Sequence, residues 1–231
     1  MSEKKSLNNG RDVFFYEKKA RSDGYARIAG IDEAGRGPLA GPVVAAAVIV
    51  CDGGFTERID DSKKLTARMR ERAFIEILER CEVGIGSVSV GDIDRFNIYN
   101  ATLLAMKRAI GELDGKPDYL LIDGRMDIPV DQSRTFLVGG ESLSVSIACA
   151  SIVAKVFRDR LMLEEDRRYP LYGFCRHKGY GTREHIEAIR KHGLCSIHRR
   201  TFGPFGSLSR ARMKLERRKP GGEVRGYPVS R

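Results

Sequence analysis

Three acidic residues end short apolar runs in a way that could gather negative charge at one place. Asp32 and Glu33 follow directly on Ile28-Ala29-Gly30-Ile31, and Asp123 ends a separate run, Tyr119-Leu120-Leu121-Ile122. Runs of this length and composition read as buried strands, and strand ends in α/β sheets are where sites form. If the two strands lie side by side and parallel, Asp32 and Asp123 emerge within a few ångströms of each other. Like charges that close need a cation between them, and an all-oxygen ligand set implies Mg²⁺ or Mn²⁺ rather than zinc. Any one of these acids alone would read as an ordinary strand-end or turn residue.

The elements that must position these acids can be read from period and punctuation. Residues 27–32 and 43–50 are β-rich and apolar, and the turn-rich Gly35-Arg36-Gly37-Pro38-Leu39-Ala40-Gly41-Pro42 separates them. That predicts neighbouring strands joined by a long loop. Residues 83–90 make a third strand, 118–123 and 135–138 two more. Thr66 is the expected N-cap of a helix to about Arg80, with Phe74, Ile75, Ile77 and Leu78 as its apolar stripe. Further helices are expected over residues 99–113 and from 142 to about 165, and Thr182 and Gly193 bracket a short one. Residues 1–24 read as a loose arm with one short helix around 13–21. The pattern is an α/β sheet with a helical C-terminal part: a core over 25–168, a helical part over 169–206, and a basic, unstructured tail over 207–231.

Bulk properties set outer bounds. With 42% hydrophobic and 31% charged residues the composition is that of a soluble globular protein and excludes disordered and membrane classes. The longest apolar run, residues 42–51, is too short to cross a bilayer and no secretory leader is visible, so no membrane association is expected and the cytoplasm is the expected compartment. Cys51, Cys81, Cys149, Cys175 and Cys195 form no CxxC pair, which argues for reduced thiols and against a zinc site. His177, His185, His192 and His198 lack metal-ligand spacing with those cysteines, so hydrogen-bonded structural roles are expected. The net charge of +10 is localised: residues 176–231 carry +11 and the rest −1. The C-terminal quarter is therefore expected to meet polyphosphate while the rest houses the carboxylates, the alternative being a solubilising tail.

The stretch Gly30-Ile31-Asp32-Glu33-Ala34-Gly35-Arg36-Gly37-Pro38-Leu39-Ala40-Gly41-Pro42 resembles the signature of the type 2 ribonucleases H. The resemblance continues in the family's order through Asp61-Ser62-Lys63-Lys64-Leu65, Leu121-Ile122-Asp123-Gly124, Ala150-Ser151-Ile152-Val153-Ala154-Lys155-Val156-Phe157-Arg158-Asp159 and His177-Lys178-Gly179-Tyr180-Gly181-Thr182. It implies a ribonuclease H-like mixed sheet flanked by helices, with a small helical C-terminal part. It also implies four carboxylates holding two divalent ions, Mn²⁺ or Mg²⁺. Asp32, Glu33 and Asp123 match directly, and Glu141 stands where the family has an Asp. Glutamate reaches one methylene further and still offers oxygens, although an acid at a helix N-terminus is stabilised by the helix dipole without any metal. Two such ions activate a water and stabilise the leaving 3′-oxygen, so no serine or histidine nucleophile is needed.

The resemblance further implies how RNA is recognised within DNA. The 2′-hydroxyl is the group that separates the two sugars. The family holds it with the segment matching Gly35, Arg36 and Gly37, where little side-chain bulk lets main-chain groups approach. Tyr180 matches the residue that stacks on the following deoxyribose. Lys63, Lys64, Lys155 and Lys178 are candidate phosphate contacts, with solvated lysines as the alternative. Asp159, inside a helix beside Arg158, is expected in a structural ion pair. The implied substrates are RNA/DNA hybrids and duplex DNA with embedded ribonucleotides, cut on the 5′ side of the ribonucleotide as in ribonucleotide excision repair.

Two other readings share part of these features. The sister ribonuclease HIII carries an extra N-terminal substrate-binding domain, for which the residues before the first strand are too few, and Arg36 and Tyr180 side with the HII type. A non-catalytic nucleic-acid-binding module would be expected to lack a core carboxylate, yet Asp32, Glu33 and Asp123 are all present. A monomer is expected, and a contact between the tail and the replication machinery stays open.

Overall fold

The computed structural model describes residues 12–51 and 54–203. The expected tail, residues 207–231, lies outside the described residues, as do residues 1–11 of the expected arm. The elements are α1 (Phe15–Ser22), β1 (Ile28–Ala34), β2 (Val43–Val50), α2 (Ala67–Arg80), β3 (Cys81–Val88), α3 (Val90–Gly111), β4 (Tyr119–Asp123), β5 (Ser133–Leu137), α4 (Val145–Arg168), α5 (Phe174–His177) and α6 (Arg183–His192). A 3-10 turn, Gly140–Ser142, leads into α4.

The strands form one sheet in the order β3-β2-β1-β4-β5. β3, β2 and β1 are antiparallel neighbours, while β4 and β5 run parallel to β1. β2 is buried at every position, as its unbroken apolar sequence requires of a strand covered on both faces. Ala45, Ala47 and Ile49 pack with Ala105, Met106 and Ala109 of α3. Ala46, Val48 and Val50 face Phe74 and Ile77 of α2 and Cys149, Ile152 and Val153 of α4. Helix α4 lies directly on β1: a Cβ on Gly30 would fall 2.1 Å from the carbonyl carbon of Ser146. Only glycine permits that approach, and it brings the start of α4 over the first half of β1.

Hydroxyl caps mark several helix starts. Thr66, Ser144 and Thr182 accept the amides of Met69, Ile147 and His185. The helix expected over residues 99–113 begins earlier, at Val90, because Ser89 caps it by accepting Asp92 N. It is broken at Asn97 (φ 68°, ψ 166°), whose side chain restarts it by accepting Asn100 N at 3.1 Å. Only the second segment carries a regular apolar period, which is why sequence reading found that part alone.

Residues expected in a loose arm include helix α1, which is docked on the core. Ala20 packs with Ile28, Leu121, Leu137 and Ile147. Buried Glu17 accepts the hydroxyls of Ser144 and Ser146 and the amide of Ser146 at the start of α4. At the other end, Tyr172, Phe174 and Ile189 fold against Met162 of α4 and Ala40 of the β1–β2 loop, so the helical C-terminal part is fastened to that loop. No described helix is long and apolar enough to cross a membrane.

Candidate active site

Parallel pairing of β1 with β4 aligns Ile31 with Ile122, so Asp32 and Asp123 leave the sheet as neighbours. Asp32 is 7% exposed, and its Oδ1 accepts Glu33 N at 2.7 Å. Burial pushes its pKa well above the usual carboxylate range, and the charges of Glu33 and Asp123 push it further, against a hydrogen bond from Ser151. Ser151 Oγ lies 3.0 Å from Ser62 Oγ, linking the Asp61-Ser62-Lys63 segment to the same cluster. Asp123 accepts Gly140 N at 2.7 Å. Burial, with Glu141 and Glu33 nearby, raises its pKa to about 6 despite that amide.

The other two carboxylates are held by cations of the chain. Burial alone would raise Glu141, but its backbone amide and Lys63 Nζ at 3.2 Å outweigh burial and lower it. Glu33 Oε1 accepts Arg36 Nη1 at 3.0 Å. Among the described residues no three His, Cys, Asp or Glu side chains already converge as a metal cage. The carboxylates adjoin instead as Asp32 beside Glu33 and Asp123, and Asp123 beside Glu141. This set fits a divalent cation on three grounds: the donors are all oxygens, Asp32 and Asp123 repel each other, and Glu141 Oε2 is buried without a hydrogen-bond partner among the described residues.

The Gly35–Gly37 turn follows the carboxylates directly, and the Tyr180 ring stands beside it. Tyr180 Cε1 is 3.8 Å from where a Cβ on Gly37 would be, and the ring is 45% exposed. The candidate lysines differ among themselves. Lys63 reaches Glu141, and Lys64 reaches Asp60 and Ser142 at 3.3 and 3.2 Å. Lys155 pairs with Asp159 at 2.5 Å, so the ion pair expected of Asp159 is made with Lys155. Lys178 donates to the Cys175 carbonyl.

Two buried arginines support the turn and a histidine chain supports the backbone at Tyr180, and sequence reading had assigned none of them to these places. Arg158 and Arg199 are each 1% exposed, and their guanidinium groups donate to main-chain carbonyls of residues 35–42 and 178. Burial and then the Arg158 charge bring the Arg199 pKa down to about 9, so it stays protonated at neutral pH. His198 Nδ1 accepts Cys195 N at 2.9 Å, which places its proton on Nε2, 3.1 Å from His185 Nε2. That leaves His185 Nδ1–H to donate to the Tyr180 carbonyl at 2.9 Å. Both tautomers follow from the bonding network, and both rings are neutral.

Comparison with known proteins agrees with this geometry. The family described as Ribonuclease HII matches residues 29–204. A curated Ribonuclease HII from Acetivibrio thermocellus is 56% identical over 201 residues, covering 86% of this chain and 78% of that one. Among solved structures, the ribonuclease H2 of Pyrococcus horikoshii OT3 superposes with a TM-score of 0.67 at 24% identity, over 82% of this chain and all of that one. The RNase HII of a PCNA:RNase HII complex from Archaeoglobus fulgidus gives 0.67 at 25% identity, over 77% and 96%. The chain therefore belongs to the ribonuclease HII family and is a ribonuclease H, of the class that cleaves RNA in RNA/DNA hybrids.

Proposed function

We propose that this chain hydrolyses the phosphodiester bond on the 5′ side of a ribonucleotide, in RNA/DNA hybrids and at single ribonucleotides embedded in duplex DNA, leaving a 3′-hydroxyl and a 5′-phosphate. The observation that carries this is the placement of Asp32 and Asp123 side by side, next to a turn of small residues and an exposed tyrosine.

Asp32, Glu33, Asp123 and Glu141 would hold the divalent cations, Mg²⁺ or Mn²⁺. When bound, these supply the Lewis acidity that lowers the pKa of the attacking water and stabilises the leaving 3′-oxygen. The chain's own residues do the rest. Arg36 and Lys63 neutralise Glu33 and Glu141 while the site is free of cation. The main chain of Gly35, Arg36 and Gly37 receives the 2′-hydroxyl, and the Tyr180 ring stacks on the next deoxyribose. Lys64, Lys155 and Lys178, with Lys63 once it leaves Glu141, contact phosphates without reading sequence. The basic excess of residues 176–231 supports the same contact with duplex. The archaeal relative's complex with PCNA supports a working place at replicated DNA.

The test is to map the cut. A 5′-labelled duplex with one ribonucleotide should yield a single nick on its 5′ side, with a 3′ end that a polymerase extends. A cut on the 3′ side, or a 2′,3′-cyclic phosphate end, would refute the reading.

A further inference from the structure

We propose that Arg199 is a positioning residue that turns the main-chain N–H groups of Arg36 and Gly37 towards the substrate sugar and thereby sets the preference for a ribonucleotide. This rests on the reading above that the 35–37 turn receives the 2′-hydroxyl.

The geometry is that of planar peptides. Arg199 Nη2 donates to Gly35 O at 2.6 Å and Nη1 to Arg36 O at 2.9 Å. The described chain has no cis peptide, and in a trans peptide the carbonyl of one residue and the N–H of the next point in opposite directions. Drawing those two carbonyls inward therefore points the amides of Arg36 and Gly37 outward. Neither amide has an acceptor among the described residues. They are two free donors on the side away from the guanidinium, which a sugar hydroxyl can accept.

The turn cannot relax out of this arrangement. Arg199 also grips its far end, donating through Nε and Nη2 to Gly41 O at 2.9 and 2.8 Å, and its own amide donates to Leu39 O at 2.8 Å. Beneath the turn, Gly35 has φ +93°, and a Cβ there would fall 2.0 Å from Arg158 Nε. Arg158 in turn holds Ala40 O and Pro42 O at 3.1 and 3.0 Å. Neither arginine forms a salt bridge among the described residues. A buried cation that no carboxylate contacts directly is an unfavourable way to fill a core. What the guanidinium provides is a rigid fork whose donors span both ends of the turn, which a lysine's single ammonium cannot do.

The test compares two duplexes of one sequence, one with a single ribonucleotide and one all-deoxy, bound without hydrolysis in Ca²⁺. In Arg199→Lys the ratio of the two affinities should fall about tenfold, the scale of one misaligned hydrogen bond to a ligand. A variant that keeps the wild-type ratio overturns the proposal. In the unaltered chain, the amide resonances of Arg36 and Gly37 should shift with the ribonucleotide duplex and not with the all-deoxy one. That measurement keeps the proposal open to refutation even if Arg199→Lys fails to fold, since equal shifts with both duplexes would overturn it. A wild-type chain with no preference between the duplexes would remove the substrate reading itself, and the role of Arg199 with it.

Discussion

Asp32 and Asp123 leave adjacent parallel strands one residue past the Ile31–Ile122 pair, and after burial and Glu33 the Asp123 charge helps to push the Asp32 pKa up. Removing one charge should therefore separate chemistry from folding. Asp123→Asn would remove a proposed cation ligand with almost no change in volume, so turnover should fall at least about 100-fold, a loss of roughly 3 kcal/mol of transition-state stabilisation. The melting temperature should stay level or rise, since a repulsion is relieved. Thermal melts beside single-turnover cleavage check both, and near-normal turnover would remove Asp123 from the site.

Divalent cation should stabilise the chain more at pH 7.5 than at pH 5. Asp123 titrates near 6 in the folded chain against 3.8 ordinarily, and Asp32 is raised in the same sense. Between those values the folded chain holds protons that the unfolded chain has released, so the stability these groups contribute falls as pH rises through the window. Above it, Asp123 is ionised and a cation meets the added negative charge directly. Below it, protons compete for the same oxygens. Mg²⁺ or Mn²⁺ at about 100 times its dissociation constant should add ~2.7 kcal/mol at pH 7.5, about 5–10 °C in Tm for a chain of this size. Calorimetry at the two pH values checks this, and an equal shift at both would argue against cation binding at Asp32 and Asp123.

Tyr180→Ala should damage cleavage at one embedded ribonucleotide more than cleavage of an all-RNA strand. The ring is exposed beside Gly37, while its carbonyl is fixed from below by His185, so truncation removes the stacking face and leaves the backbone in place. Base–aromatic stacking is worth ~1–3 kcal/mol, and a sugar contact at the lower half of that range changes the kcat/KM ratio between the two substrates about tenfold. Equal losses on both would take Tyr180 out of junction recognition.

How much of this was legible in the sequence depended on whether the signal was local. The apolar runs before Asp32 and Asp123 gave both strands, and the motif around Gly35 placed the turn. Caps at Thr66 and Thr182 marked two helix starts because the hydroxyl lies next to the amides it satisfies. The break at Asn97 was not legible, since a left-handed asparagine leaves no mark in an apolar period. The role of Arg199 was not legible for a different reason. By composition it belongs to the basic C-terminal quarter, and only the tertiary structure turns it inward onto carbonyls of residues 35, 36, 41 and 42, over 150 positions earlier in the chain. Glu17 was hidden likewise, its partners Ser144 and Ser146 lying at the start of α4.

On the proposed function, cleavage is chosen by one 2′-hydroxyl and driven by cations at the four carboxylates. Three duplexes of the same sequence should be incubated with the chain in Mg²⁺ or Mn²⁺ and again in excess chelator: one all-deoxy, one with a single ribonucleotide, one with an all-RNA strand. Cutting of both ribonucleotide-containing duplexes, only with cation and never of the all-deoxy one, is the result predicted. Cleavage that persists in chelator, or a nick in the all-deoxy duplex, would contradict it.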